Sequence, residues 1–229
     1  VHVIGDAAAR YTLDALETIH TENKKWEARH SFAHLQLSQP EDIQRMGKLG
    51  LSVHTGPYWM IIDDYFWKLN LPYLGHERAF QQQYPCNSLF KAGVNVTVAS
   101  DFFVSEPCPL AAIYCGMTRR MPKPVFDQDY GGNPKYRRVS DPDAELNPGD
   151  LGVLPPADEK ASLEDMLIAS TLNGAWANFL EQDLGSIEVG KLADLVVLEQ
   201  NLFDIDIEQI PSTQIDMTFF EGQLVYSKA

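Results

Sequence analysis

Short apolar segments that alternate with helix-like segments are the feature that most limits the fold of this 229-residue chain. Four of them predict strands: VHVIG at 1–5, HSFAHLQ at 30–36, LSVHTG at 51–56 and VNVTVAS at 94–100. Helical spacing of apolar residues at 7–26, 40–50 and 87–93 predicts helices between them. Strands separated by helices pair in parallel through right-handed crossovers, so we expect an α/β sheet or barrel. Four such units are half of an eight-unit barrel, and a half-barrel leaves two sheet edges open.

Residues 121–229 have a different sequence pattern. Residues 121–160 are rich in Pro, Gly and Asp and predict a long surface loop. ASLEDMLIASTLNGAWANFL at 161–180 predicts one helix, with Ser162 as its N-cap and Asp165 completing a capping box. From 184 onwards the pattern is β-like, and Glu221-Gly222 predicts a hairpin turn. We therefore expect two domains, 1–183 and 184–229, the second a small β unit.

Composition excludes several classes of partner. The formal net charge of −14 disfavours nucleic acid, because phosphate binding needs clustered Lys and Arg. No stretch approaches the roughly 20 apolar residues that cross a bilayer, and the first residues lack the pattern of a secretory signal. The three cysteines lack metal-site spacing and are odd in number, so a reducing, cytoplasmic location is expected.

Three polar residues fall at or just past predicted strand ends: His2, His34 and Asp101. Side chains at the carboxyl ends of parallel strands converge on one crevice, and two imidazoles with a carboxylate suit a divalent metal. In such a site a carboxylate takes the proton of the attacking water. The residues alone leave two alternatives open: the histidines could be core residues, and Asp101 could be a turn residue.

Other candidates come from the loops. His54, His76 and Arg78 are predicted to contact substrate, although a loop hydrogen bond for His54 and a salt bridge from the GHERAF segment to Glu77 are alternatives. Asp6 is predicted to cap the first helix. Aromatic residues between the third and fourth strands are expected to line a pocket or cover the rim of the sheet: Trp59, Phe66 and Trp67.

The order of these segments resembles the C-terminal part of amidohydrolase-superfamily enzymes, in the branch that includes N-substituted formamide deformylase. The most specific pieces are VHVIGDAA, the strand that ends in Ser100-Asp101, and GSIEVGKLADLVVL at 185–198. The resemblance implies the C-terminal half of a (β/α)8 TIM-type barrel, strands 5–8, plus part of a small β-sandwich. Its sandwich signature is matched by five residues: Gly185, Gly190, Lys191, Ala193 and Asp194.

The resemblance also implies roles for the three polar residues. His2 and His34 match the metal-ligating histidines of strands 5 and 6, and Asp101 matches the strand-8 aspartate that acts on the attacking water. Two departures stand out: Ala33 replaces a glutamate that the branch usually has, and the sequence contains no His-x-His pair, which the family takes from strand 1. We therefore expect an N-terminal half of the same enzyme to complete the site.

The implied function is a metal-dependent hydrolase that acts on a non-peptide C–N bond in an amide, formamide or cyclic amide. One or two divalent ions are expected, with Zn²⁺ as the leading choice. The expected partners are a small-molecule substrate, the missing half of the enzyme and, in a homodimer, a second copy. Two alternatives stay open: a catalytically degenerate scaffold or regulatory protein, and a lyase, isomerase or ester hydrolase with the same fold.

Overall fold

The computed structural model describes residues 1–23 and 27–228, and a parallel sheet of four strands lies at its centre. The strands run in the order β1 (His2–Val3), β2 (Ser31–His34), β3 (Ser52–Thr55) and β4 (Asn95–Val98). Each of them lies inside a segment predicted as a strand, and the predicted parallel pairing is confirmed. The end of the first predicted helix, at 24–26, lies outside the described residues.

Helices connect the strands and cover one side of the sheet. The α-helices are α1 (Asp6–Glu22), α2 (Pro40–Lys48), α3 (Leu71–Gln81), α4 (Cys86–Lys91), α5 (Pro109–Thr118), α6 (Lys123–Asp129), α7 (Leu163–Ser170) and α8 (Leu172–Ala177). Short 3-10 turns lie at Pro57–Trp59, Ala157–Glu159 and Ile207–Ser212, and a π-helical turn at Phe66–Asn70 leads into α3. Among the described residues, none of these helices combines the length and apolarity needed to cross a bilayer.

The two sides of the parallel sheet differ in chemistry because strand side chains alternate. One side packs against α1, α2 and α4 through fully buried apolar residues: Val3, Phe32, Val53 and Val96. The other side carries polar groups, where Asn95 donates a 2.9 Å hydrogen bond to Ser52 Oγ. The register aligns one row of residues across this polar side: His2, Ala33, His54 and Thr97.

Two smaller sheets lie in the second half. A parallel ladder joins β5 (Arg137–Arg138) to β6 (Asp150–Leu151), and an antiparallel sheet has the order β7 (Leu195–Leu198), β8 (Ile215–Phe220) and β9 (Gln223–Ser227). The predicted hairpin turn between β8 and β9 is confirmed, since Glu221 and Gly222 have φ of 48° and 76° as a type I′ turn requires.

The structure corrects three details of the sequence-based reading. Residues 161–180 form two helices, because the chain breaks at Thr171 and Asn173 then donates a 2.8 Å hydrogen bond to the carbonyl of Val96. The predicted Ser162–Asp165 capping box is present. The predicted loop 121–160 contains α6 and the β5–β6 ladder, and 184–194 forms turns instead of a strand. The domain boundary at 183/184 stays a prediction, and Leu202 and Ile210 beyond it lie in the same apolar cluster as α5 and α7.

Candidate metal and substrate site

His2 and His34 lie side by side at the carboxyl edge of the parallel sheet. Their ring centroids are 4.4 Å apart and their planes meet at 62°. β1 and β2 are neighbours, and the register pairs His34 with Val3, the residue after His2. Strand pairing therefore brings two histidines that are distant in sequence to neighbouring positions.

An unusual backbone conformation turns His34 toward His2. Strand alternation would place His34 on the same side as Phe32, which faces the helices. His34 instead has φ of 77° and Leu35 has φ of 50°, a left-handed conformation that costs non-glycine residues about 1–3 kcal/mol each. The Leu35 N–H still donates to the Val3 carbonyl at 2.8 Å, so pairing with β1 continues through the turn. The imidazole stacks on Trp59, with centroids 5.1 Å apart.

Asp101 follows β4 in a tight turn at the same edge of the sheet. Its φ is 51°, and its carbonyl accepts a 2.7 Å hydrogen bond from the Val104 N–H. Burial lowers the pKa of the His34 imidazole, the neighbouring His2 lowers it further, and the Asp101 carboxylate opposes both. His34 is therefore held mainly in the neutral form, which is the form that binds metal ions.

The donor chemistry of these residues fits part of a divalent metal site. Neutral imidazoles bind Zn²⁺ and similar ions at about 2.0–2.1 Å, and rings as close as those of His2 and His34 suit a shared ion. Within residues 1–23 and 27–228, no group of three or more His, Cys, Asp or Glu is arranged to hold an ion. The described residues thus offer two candidate ligands, whereas a zinc site normally has three or four.

His54 lies in the same row as His2 on the polar side of the sheet. Its Nδ1 shares a 2.5 Å hydrogen bond with Thr97 Oγ1, and burial lowers the pKa of the imidazole. Ala33 separates the two histidines in the register, each of them being its direct neighbour on the adjoining strand. The prediction that His54 contacts substrate stays a prediction, and its ring already has a hydrogen-bond partner on β4.

Arg78 and His76 lie on helix α3, which the sequence did not predict. Arg78 donates a 2.8 Å hydrogen bond to Asp6 Oδ2, so its partner is Asp6 and not Glu77. Burial alone would raise the pKa of Asp6, but hydrogen bonds from Gln39 and Arg78 lower it overall. The prediction that Asp6 caps α1 is wrong, because the N-cap is Gly5 and Asp6 is the first helical residue.

The His76 ring stacks on Phe80, with centroids 4.5 Å apart. Substrate contacts by His76 and Arg78 stay predictions.

A cavity of about 600 Å³ lies next to these residues. Ile4 and Gln36, which follow β1 and β2, form part of its wall, together with the Trp59 ring that stacks on His34. The sequence suggested Trp59 as a pocket residue but gave no sign of its contact with His34. Tyr84, Asp63 and Asp129 also line the cavity, and no sequence pattern indicated them because they come from three parts of the chain that are distant in sequence.

Comparisons with known proteins agree with this architecture. The chain is 29% identical over 227 residues to Protein LONG AFTER FAR-RED 3 of Arabidopsis thaliana, covering 99% of this chain and 33% of the relative. It is 24% identical over 232 residues to N-substituted formamide deformylase of Arthrobacter pascens, covering 100% of this chain and 36% of the relative. The chain thus spans about a third of the length of these curated relatives.

A solved metal-dependent hydrolase of unknown function from Pyrococcus horikoshii OT3 has a similar fold. Its TM-score is 0.64 at 17% identity, with 90% of this chain and 34% of that one covered. The sequence profile of the Amidohydrolase family matches residues 1–226. Since this match extends over nearly all of the 229 residues, the chain belongs to the amidohydrolase family.

Proposed function

We propose that this chain forms part of a metal-dependent hydrolase that cleaves a non-peptide C–N bond in an amide, a formamide or a cyclic amide. The observation that carries the proposal is the pair of adjacent imidazoles, His2 and His34, with Asp101 at the same sheet edge in a member of the amidohydrolase family. In this proposal the parallel sheet is strands 5–8 of a (β/α)8 barrel, and β7–β9 belong to a small β-sandwich.

His2 and His34 would hold the ion. Imidazole nitrogen suits Zn²⁺, which makes zinc the leading choice, with one or two ions in the complete site. A divalent ion bound there supplies Lewis-acid polarisation of the scissile carbonyl and lowers the pKa of water. Partial burial lowers the pKa of His34 and favours its neutral ring, and the Trp59 stack fixes the orientation of the ring.

Asp101 would move the proton. A carboxylate near the reacting carbon accepts a proton from the attacking water and returns it to the leaving amine, which cannot depart as an anion. The tight turn after β4 holds Asp101 at the edge where His34 lies, close enough to influence its titration. Water adds to the carbonyl carbon, the C–N bond breaks, and a carboxylic acid and an amine are released.

The remaining ligands belong, in this proposal, to the longer polypeptide that the curated relatives represent. A small-molecule substrate and a second copy of the enzyme complete the proposed partners. A cytoplasmic location stays a prediction from the cysteine pattern.

The test uses the full-length protein that contains this chain. We expect His34→Ala to lose bound metal and to lower kcat/KM by at least 100-fold, since a ligand is removed. Asp101→Asn should keep its metal while kcat falls by about 10²–10⁴-fold. The control is His20→Ala, an exposed histidine in the last turn of α1, at the opposite end of the sheet.

Metal is measured by mass spectrometry and hydrolysis by the release of amine. Normal metal content in His34→Ala, or full activity in Asp101→Asn, would refute the assignment.

A degenerate scaffold is the second candidate, and Ala33 is the observation that favours it. A glutamate at position 33 would stand between His2 and His54, and the alanine removes that carboxylate. The same preparation decides between the two: a folded wild-type protein that binds no divalent ion and hydrolyses no amide would support the scaffold.

A further inference from the structure

The cavity beside His34 has the size of a small-molecule site. Its volume of about 600 Å³ falls within the roughly 300–1,000 Å³ that is usual for ligand pockets. It reaches the candidate metal ligands through Ile4, Gln36 and Trp59, so a substrate whose scissile bond lies at His2 and His34 would extend into it.

Aromatic rings form part of the wall of this cavity. Five rings line it: Tyr58, Trp59, Tyr65, Tyr84 and Tyr130. The Trp59 ring is fixed by its Nε1, which donates a 2.8 Å hydrogen bond to Ser105 Oγ. The main chain of Tyr84 is held by a hydrogen bond from the buried Arg119 to its carbonyl. Rings with fixed positions offer flat apolar faces that also attract cations.

Acidic side chains line the wall, and burial raises the pKa of one of them, Asp63, which disfavours its charged form. Asp63, Glu106 and Asp129 line the cavity, and no Lys, Arg or His among the described residues does so. Asp63 accepts a 2.9 Å hydrogen bond from the Phe66 N–H, which fixes its position. In the part of the chain that the structure describes, Glu106 and Asp129 take part in no ion pair. Within the described residues, the carboxylates of Glu106 and Asp129 are therefore not paired with a cation.

The Tyr130 hydroxyl lies in the negative potential of these carboxylates. Burial and the nearby carboxylates, Asp63 first, then Asp64 and Asp129, raise its pKa to about 12. Burial and the nearby carboxylates that disfavour the phenolate also disfavour a negatively charged group of a ligand at this wall.

We propose that the cavity receives a protonated amine carried on the aromatic or alkyl N-substituent of the substrate, so that the substrate class is cationic N-substituted amides. The carboxylates of the wall and the ring faces both stabilise an ammonium group, whereas they repel or fail to pair a carboxylate. Because it assigns a substrate class to that same site, this proposal rests on the proposed function.

The test compares three formamides in the full-length protein. Each carries a benzyl group on nitrogen, with a para substituent of similar size that is cationic, neutral or anionic: aminomethyl, ethyl or carboxymethyl. We expect kcat/KM to be about tenfold higher for the cationic than for the neutral compound, and lowest for the anionic one. Asp129→Asn should reduce the cation-to-neutral ratio by about three- to fivefold. Asp127→Asn is the matched control, because Asp127 lies on the same helix, pairs with Lys123 and does not line the cavity.

A second readout does not depend on turnover. Calorimetric titration with 4-methylbenzylamine, which is protonated at pH 7, and with 4-methylbenzyl alcohol, which is neutral, measures the preference of the cavity directly. We expect the amine to bind about tenfold more tightly, and Asp129→Asn, but not Asp127→Asn, to weaken this preference.

The outcomes separate the two proposals. Hydrolysis with equal or better use of the neutral or anionic formamide overturns the substrate class and leaves the hydrolase proposal standing. No hydrolysis, with amine binding that depends on Asp129, overturns the hydrolase proposal and supports the cation site. No hydrolysis and no preference for the amine overturns both.

Discussion

Arg119 provides a direct test of how the wall of the cavity is held in place. It is the largest fully buried side chain, and its guanidinium is bonded to main-chain oxygens. It donates to the carbonyls of Leu154 at 2.7 Å, Tyr84 at 2.8 Å, Gln83 at 2.7 Å and Pro155 at 3.2 Å. Burial lowers the pKa of the guanidinium to about 10, which still leaves it charged at neutral pH. Two segments distant in sequence, 83–84 and 154–155, are thus joined by one cation.

The expected effect of Arg119→Met follows from these bonds. Hydrogen bonds to charged groups contribute about 1.5–3 kcal/mol each, so the three shorter ones sum to roughly 4.5–9 kcal/mol. Methionine fills a similar volume and removes the desolvation cost of a buried charge, which is several kcal/mol and offsets part of the loss. We expect a net loss of about 3–5 kcal/mol in the free energy of unfolding, comparable to breaking a buried charged pair.

The assay is equilibrium denaturation of the full-length protein. The midpoint and slope of the unfolding transition that includes segments 83–84 and 154–155 are compared between wild type and variant. Arg119→Lys keeps the charge but cannot reach all the carbonyls, so it should fall between wild type and Arg119→Met. Lys123→Met is the control: its side chain is 65% exposed and pairs with the exposed Asp127, and it should cost less than about 1 kcal/mol. A loss below about 1 kcal/mol in Arg119→Met would refute the reasoning, because the carbonyls would then be satisfied without the guanidinium.

Two further predictions concern the candidate site. Trp59→Leu removes the ring stacked on His34, an aromatic contact of about 0.5–1.5 kcal/mol. We expect metal binding to weaken by roughly two- to tenfold in a chelator competition, and Trp59→Phe to be less affected. Unchanged metal affinity in the leucine variant would contradict a positioning role for the stack. Ala33→Glu places a carboxylate next to His54 in the register. Since a carboxylate favours the charged imidazolium, the pKa of His54 should rise, as measured in an NMR titration of ¹³C-labelled histidine. A fall or no change would show that the new side chain turns away.

The parallel sheet was predictable because its signals are local. Each strand is a short apolar run bounded by Gly, Asp or Ser, and a helical pattern separates it from the next, which leaves parallel pairing as the natural solution. The Ser162–Asp165 capping box and the turn at Glu221-Gly222 were predictable for the same reason, since both depend on a few adjacent residues. The position of His2 and Asp101 at the carboxyl edge followed from strand direction.

Features that depend on tertiary contacts were not predictable. A residue pattern over 161–180 reads as one helix, and only the bond from Asn173 to Val96 on β4 shows why the chain turns at Thr171. For Arg78 the sequence offered a salt bridge with Glu77 as an alternative to substrate contact, whereas folding brings it to Asp6, 72 residues away. In both cases the deciding partner lies on a distant element, which periodicity cannot identify.

The backbone at the strand ends supports a chemical role for the candidate ligands. A positive φ is almost free for glycine, and the chain uses glycine in such places, for example at Gly50 and Gly93 before β3 and β4. His34 and Asp101 adopt positive φ without that freedom, each at a cost of about 1–3 kcal/mol. Glycine at either position would relieve the strain and lose the side chain. In both turns the conformation brings an imidazole or a carboxylate to the edge of the sheet where His2 lies. At these two positions the strain therefore falls on residues whose side chains the proposed chemistry needs.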